Sequence, residues 1–289
     1  MSEVHGIVYA YHSSPRLGDL TRYRTNASLP FCGRYRLIDF ALSSLSNAGV
    51  HSVGVIMQRD YQSLLDHLGS GRLHLLPPFG VNTRGDYTGT AEALNAVISY
   101  VRNIPEPEVV LMPADIVCNL DLAAAIAQHN ASGCGITAIC RDGAVTGEHH
   151  RYLTDDRGRV TKLITSAAAG AGVTSMEIYI VNKDVLLGIL DFCAQENRFH
   201  FHRDGLFEYL GRGGTMDVFL HRGYAVRVDT AADYFAASMD MLEPLSRASL
   251  FPADRPVRTK ERADVSTYYG EHAHVENCLV ADGCFIEGT

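Results

Sequence analysis

Arginines gather between Arg16 and Arg36, in a connection that leaves an apolar strand-like run (Val4 to Tyr9) and enters a helix-like run at Leu37. Such strand-to-helix turns are where open α/β sheets bind phosphates, because backbone N–H groups and helix N-termini converge there. Guanidinium groups at this place suit a small phosphorylated ligand. The turn itself suits it less. Wrapping a triphosphate takes backbone that approaches closely and adopts φ > 0, which glycine does without steric penalty. Here the turn reads Tyr11, His12 and Ser14, and Pro15 removes one N–H donor. Taken alone, the loop reads as an ordinary surface connection.

Other reactive groups are spread along the chain. Asp115, in Met112-Pro113-Ala114-Asp115, sits at the C-terminal end of a predicted strand, the edge where such sheets place ligands. A turn or cap aspartate is an equally good reading of it. Lysine is scarce, with only Lys162, Lys183 and Lys260. His149-His150 and His200-Phe201-His202 invite a metal, but no Cys or carboxylate partner sits at ligand spacing nearby, so polar loop histidines are the better reading.

The elements that must position these groups alternate. Strand-like Val4–Tyr9, Val53–Met57, Val109–Met112 and Ile136–Cys140 are separated by helix-like Leu37–Ala48, Tyr61–Leu68, Ala91–Tyr100 and Leu122–Ala131. That order implies an α/β fold with a mostly parallel sheet and helices on both faces. Gly69 to Gly89 reads as a long loop. Further on, Arg151–Thr154 and Val160–Ile164 read as a hairpin, and Thr174–Val181, Met216–Leu220 and Ala225–Val228 as strands. Helical patterns cover Asp184–Cys193 and Thr230–Met241. Prolines and arginines from Pro244 to about Thr267 mark a linker, giving units 1–243 and 244–289. At the end, Cys278 matches Cys284 and Val280 matches Ile286 at a period of six. That period belongs to left-handed parallel β-helices, with a short β-hairpin as the alternative.

Composition excludes several function classes. The chain is 46% hydrophobic and 20% charged, which is ordinary for a globular protein with a full core. A formal charge of −8 argues against nucleic acid as a partner. No run approaches a membrane span and no signal pattern opens the chain, so no membrane partner and a cytoplasmic location are expected. Seven cysteines without a C-x-x-C pair read as reduced, mostly buried thiols.

The order of motifs resembles bacterial ADP-glucose pyrophosphorylases (glucose-1-phosphate adenylyltransferases). Arg16-Leu17, Leu20-Thr21, Arg24 and Gly33-Arg34-Tyr35-Arg36-Leu37-Ile38-Asp39-Phe40 fit that family's opening signature. Gly89-Thr90-Ala91-Glu92-Ala93-Leu94 is similar to its G-T-A-D-A-V, and Ser175-Met176-Glu177-Ile178-Tyr179 to its S-M-G-I-Y. Arg255-Pro256-Val257-Arg258-Thr259 resembles W-P-I-R-T, so the resemblance runs from Arg16 to Thr259. It implies a nucleotidyltransferase-type sheet followed by the start of a left-handed β-helix, which ends early here.

The resemblance also implies roles. Arg16 and Asp115 match catalytic positions, and Asp115 the first metal-binding aspartate. Gln58, Gly89, Thr90 and Ser175 match substrate contacts, and Asp204 an aspartate of D-F-G-K-D. The second metal position falls on Arg227, in Tyr224-Ala225-Val226-Arg227-Val228-Asp229-Thr230, with Asp229 two residues on as a partial rescue or a helix cap. The family's lysines fall on Asn26 and Ser166, and Glu177 replaces a glycine beside the sugar. Each lost cation costs roughly 10²–10³ in rate singly. Losses within one constellation do not multiply fully, so a drop beyond roughly 10⁴ is expected. The resemblance therefore points to the GlgD-type regulatory subunit, with Mg²⁺ needed only if activity remains. Its expected partner is a catalytic GlgC-type subunit in a hetero-oligomer, and its expected ligand a nucleotide or phosphorylated sugar. An active adenylyltransferase is the alternative. If the pocket is otherwise intact, Asn26→Lys with Arg227→Asp is expected to raise activity.

Overall fold

The computed structural model describes residues 3–68, 73–77, 87–142, 150–165, 170–261, 263 and 265–288. At its centre Leu73–Leu76, Val53–Ile56, Val4–Tyr9 and Glu108–Pro113 lie side by side in that order, all parallel. The ten-residue strand Val173–Asn182 comes next, antiparallel to Glu108–Pro113 and to Ile136–Arg141. Met216–Leu220 runs parallel to Ile136–Arg141 and closes that edge. The hairpin His150–Thr154 and Val160–Thr165 joins the sheet at Val173 and Thr174.

All six residues of Val4–Tyr9 are buried, as a parallel strand covered on both faces requires. Its alternating side chains feed two cores. Ile7 and Tyr9 pack with Leu111 of the neighbouring strand and with Leu94, Val101 and Leu190 from helices Thr90–Ala96, Ile98–Asn103 and Lys183–Gln195. Val4 and Val8 pack on the other face with Ile38, Leu45, Met112 and Leu122, under helices Leu37–Asn47 and Leu122–Ser132. The α/β class and the helices on both faces are as the sequence reads.

Three segments differ from that reading. The helix expected over Ala91–Tyr100 is two helices, broken where Val97 leaves helical geometry (φ −113°, ψ 25°). The loop expected from Gly69 to Gly89 holds the strand Leu73–Leu76, while residues 69–72 and 78–86 lie outside the described residues. The linker from Pro244 opens with a helix, Pro244–Leu250, whose proline occupies its first turn. Leu250 is fully buried with Leu37, Phe40 and Val117. Asn119 Nδ2 donates to the carbonyls of Leu250 (3.0 Å) and Arg255 (2.8 Å), which straps the following segment to the sheet.

Near the C-terminus Tyr268–Tyr269 and Phe285–Ile286 pair in parallel, with the Tyr268 and Phe285 rings stacked at 4.7 Å. Parallel strands are not the arms of a hairpin, so the hairpin alternative fails for these segments. Two dipeptide strands do not establish a β-helix. Among the described residues no helix is long and apolar enough to cross a membrane.

Candidate functional site

A cavity of about 180 Å³ opens at the C-terminal ends of Val4–Tyr9 and Glu108–Pro113. Tyr9, Tyr11, Asp115, Glu177, His202 and Arg227 are among its lining residues. This is the sheet edge at which the sequence places Asp115.

Arg227 dominates the cavity. It ends a short strand, Ala225–Arg227, that pairs antiparallel with Ile116–Cys118 just beyond Asp115. Its Nη1 lies 3.1 Å from Glu177 Oε2, and its Nε lies 3.7 Å from Asp115 Oδ1. One guanidinium therefore stands between two carboxylates. Burial opposes the charge on both Arg227 and Glu177. The arginine is nonetheless held more basic than usual by Glu177 and Asp115. Glu177 is brought down to about 2 by Arg227, then His202 and His150. Burial lowers His202 to about 4.

Glu177 sits in a break in the register of Val173–Asn182, between Ser175 and Ile178, with φ +55°. Few non-glycine residues adopt that backbone, at a cost of about 1–3 kcal/mol. The resembling family carries glycine here, which takes the conformation freely. The two departures from the family pattern, Glu177 and Arg227, thus meet each other in space. No spacing in the sequence could reveal this pairing of residues fifty positions apart.

The folded Glu177 carboxyl lies below its unfolded value near 4.5, so the pair's contribution is complete above about pH 4.5 and is lost as pH falls through about 2. Glu177→Gln is expected to flatten that part of the stability–pH curve. Urea midpoints measured between pH 5 and pH 2.5 check it.

The loop before Arg16 is closed by its own side chains. Tyr11 is buried between Tyr9 and Tyr87 (ring centroids 6.1 and 5.2 Å), and no residue from Ala10 to Leu17 has positive φ. The Ser14 N–H donates to Asn26 Oδ1 (3.0 Å), and Asn26 Nδ2 donates to the Val228 carbonyl (3.2 Å). Asn26 is fully buried and ties the loop to the end of the Arg227 strand. Arg16 is ion-paired with Asp229, a cavity-lining residue that also meets His12 Nε2 at 3.3 Å. The helix cap is Thr230, whose Oγ1 accepts from Asp233 N (3.0 Å).

Of the other sequence-derived positions, Thr90 lines the cavity and its Oγ1 accepts from Phe201 N (3.3 Å). Gly89 lies against Phe199, where an added Cβ would collide with the Phe199 carbonyl oxygen. Gly89→Ala is expected to cost about 1–3 kcal/mol by overpacking, read as a fall in thermal midpoint. Ser175 Oγ accepts from Tyr152 Oη (3.1 Å) and Glu177 N (3.0 Å), and lines a smaller neighbouring pocket with Arg227. Gln58 is buried after Val53–Ile56 and is not among the cavity's lining residues. Asp204 meets Arg203 (3.0 Å), and Glu92 accepts from Thr88 N beside its own helix start. Ser166 lies outside the described residues.

These residues do not fit a Mg²⁺ ion held by two carboxylates. A hard cation asks for oxygen ligands, and the Arg227 guanidinium already occupies the place between the two carboxylates that would supply them. Asp115 faces Arg227, and Asp229, the candidate substitute, is taken by Arg16. Among the described residues, three carboxylates (Asp115, Glu177, Asp229) and one guanidinium (Arg227) line the cavity, and Arg16 pairs with Asp229 from outside that lining, which leaves a balance of −1. Tyr9 Oη, Asp115 Oδ1 and Arg227 Nε line it without a hydrogen-bond partner within the protein. Such atoms are paired in most folded proteins; here all three are closed to solvent, and Asp115 Oδ1 and Arg227 Nε face each other at 3.7 Å.

A family model described as nucleotidyl transferase matches residues 6–243. The chain belongs to the nucleotidyl transferase family. It is 27% identical over 282 residues to the glycogen biosynthesis protein GlgD of Bacillus subtilis (strain 168), covering 94% of this chain and 73% of that protein. It is 28% identical over 317 aligned positions to the glucose-1-phosphate adenylyltransferase of Thermomicrobium roseum, covering 99% of this chain and 71% of that one. The nucleotidyltransferase-type sheet implied by the motif order is thus this family's fold.

Proposed function

We propose that the chain serves glycogen biosynthesis as the regulatory, weakly catalytic or non-catalytic subunit of a cytoplasmic glucose-1-phosphate adenylyltransferase. The reaction concerned converts ATP and glucose 1-phosphate to ADP-glucose and pyrophosphate. A role in glycogen biosynthesis is supported by the likeness to the Bacillus protein, and the adenylyltransferase setting by the likeness to the Thermomicrobium enzyme. The observation that carries the non-catalytic part is the Arg227 guanidinium between Asp115 and Glu177. Phosphoryl and nucleotidyl transfer rely on positioning and on neutralising charge. Here the fixed cations are already spent on the protein's own carboxylates.

A subunit of this kind acts by differential binding: it keeps a ligand pocket and biases the conformation of a catalytic GlgC-type partner. The cavity is smaller than the roughly 300 Å³ at which pockets for larger ligands begin. That size favours a sugar phosphate over a whole nucleotide. The parallel pairing at Tyr268–Tyr269 and Phe285–Ile286 supports, as part of the same reading, the start of a β-helix after the strap.

Titrating this chain into a purified catalytic subunit tests the role. The expected result is co-elution as a hetero-oligomer and a shift in the catalytic subunit's response to substrate or effector. Full turnover by this chain alone favours the active-enzyme alternative. Neither association nor turnover defeats both.

A further inference from the structure

His150, Glu177 and His202 converge from three elements, and one ligand atom from each lies within 4.8 Å of the others. His150 starts the hairpin strand His150–Thr154, Glu177 occupies the positive-φ break in Val173–Asn182, and His202 lies in a single π-helical turn, Phe201–Gly205. The two imidazole rings are 3.9 Å apart, centroid to centroid. Short π turns and strained residues both concentrate at functional sites. The carboxylate partner that sequence spacing failed to supply for these histidines is Glu177, 27 residues from His150 and 25 from His202.

We infer that His150, Glu177 and His202 form a binding site for a transition-metal ion of the zinc class. Two imidazoles and a carboxylate are a donor set that holds Zn²⁺ and leaves a fourth position open. Nitrogen donors disfavour Mg²⁺, so this is a different site from the one the family's aspartates make. Glu177 is doubly engaged: Oε2 takes Arg227 at 3.1 Å, the kind of hydrogen-bonded support that ligating carboxylates carry. Ligand atoms up to 4.8 Å apart close onto an ion by side-chain rotation, since tetrahedral ligation at about 2.0–2.2 Å brings them to within about 3.5 Å. Glu177 and His202 also line the cavity, so the ion sits in its wall. A divalent charge there turns the local balance from −1 to +1, which favours an anionic ligand. The site stands whether or not the chain regulates an adenylyltransferase.

The test is direct binding of Zn²⁺ and Co²⁺ to the tag-free chain, by calorimetry and by the cobalt absorption spectrum, with Mg²⁺ as competitor. The expected result is one saturable equivalent, a tetrahedral cobalt spectrum and no displacement by Mg²⁺. His150→Gln and His202→Gln are each expected to weaken affinity at least about 100-fold, since even supporting residues around a metal are worth 10–100-fold. His51→Gln, at an exposed histidine, leaves binding unchanged. If a glutamine variant fails to fold, His150→Cys keeps the test sharp. A sulfur-to-cobalt charge-transfer band absent from the parent places residue 150 on the ion. No saturable equivalent, undiminished binding in both glutamine variants, or no such band overturns the inference.

Discussion

Arg227→Asp, the change that puts back a family aspartate, is expected to destabilise the protein by about 2–3 kcal/mol rather than repair it. Removing one partner of a fully buried ion pair costs about 3–5 kcal/mol. Arg227 and Glu177 side chains are 27% and 25% exposed, so solvent screening brings the figure below that range. The substitution would crowd three carboxylates, at 115, 177 and 227, with no cation between them. Glu177→Gly alone is expected to be near neutral, because relief of the positive-φ strain offsets the lost pair. The double variant Glu177→Gly, Arg227→Asp is expected to return to within about 1 kcal/mol of the parent, which gives a coupling energy at the upper end of the 0.5–3 kcal/mol seen for contacting residues. Urea unfolding of the four proteins at constant m-value measures it. Additive effects would show that the two residues do not depend on each other.

Asn26→Lys carries the larger penalty, about 3–5 kcal/mol. Asn26 is fully buried, accepts from Ser14 N and donates to the Val228 carbonyl. A lysine can donate but cannot accept, so it strands the Ser14 N–H and buries an ammonium among neutral groups. Chemical unfolding is expected to show a chain at the edge of folding, and Asn26→Asp, which can still accept, to be milder. An Asn26→Lys protein as stable as the parent would mean that the loop has room for the phosphate-contacting cation. The partners of Asn26 and Arg227 oppose the expectation that Asn26→Lys with Arg227→Asp raises activity, and assay of that double variant decides it. Both positions have structural partners, and substituting the family's residues breaks those first.

What was legible in the sequence was whatever local pattern controls. A continuous apolar run and helical apolar patterns located Val4–Tyr9, Leu37–Asn47 and Leu122–Ser132 to within a residue or so. The strand Leu73–Leu76 was hidden because prolines and glycines flank a four-residue run, and only its pairing with Val53–Ile56 makes it a strand. The segment after Pro244 looked like a linker by composition, yet Leu250 and the Asn119 hydrogen bonds dock it. At the site, single positions such as Asp115 and Arg227 were readable from their motifs. Their mutual arrangement was not, because the Arg227–Glu177 and Arg16–Asp229 ion pairs join residues 50 and 213 positions apart.

The measurement that bears most directly on the central claim is ATP formation from ADP-glucose and pyrophosphate by the isolated chain with saturating Mg²⁺. Arg227 standing between Asp115 and Glu177 predicts a rate at least about 10⁴-fold below that of a catalytic adenylyltransferase assayed alongside, two to three lost cationic contributions acting together. A rate within tenfold of that enzyme would show that the guanidinium does not block the metal's place, and would contradict the account.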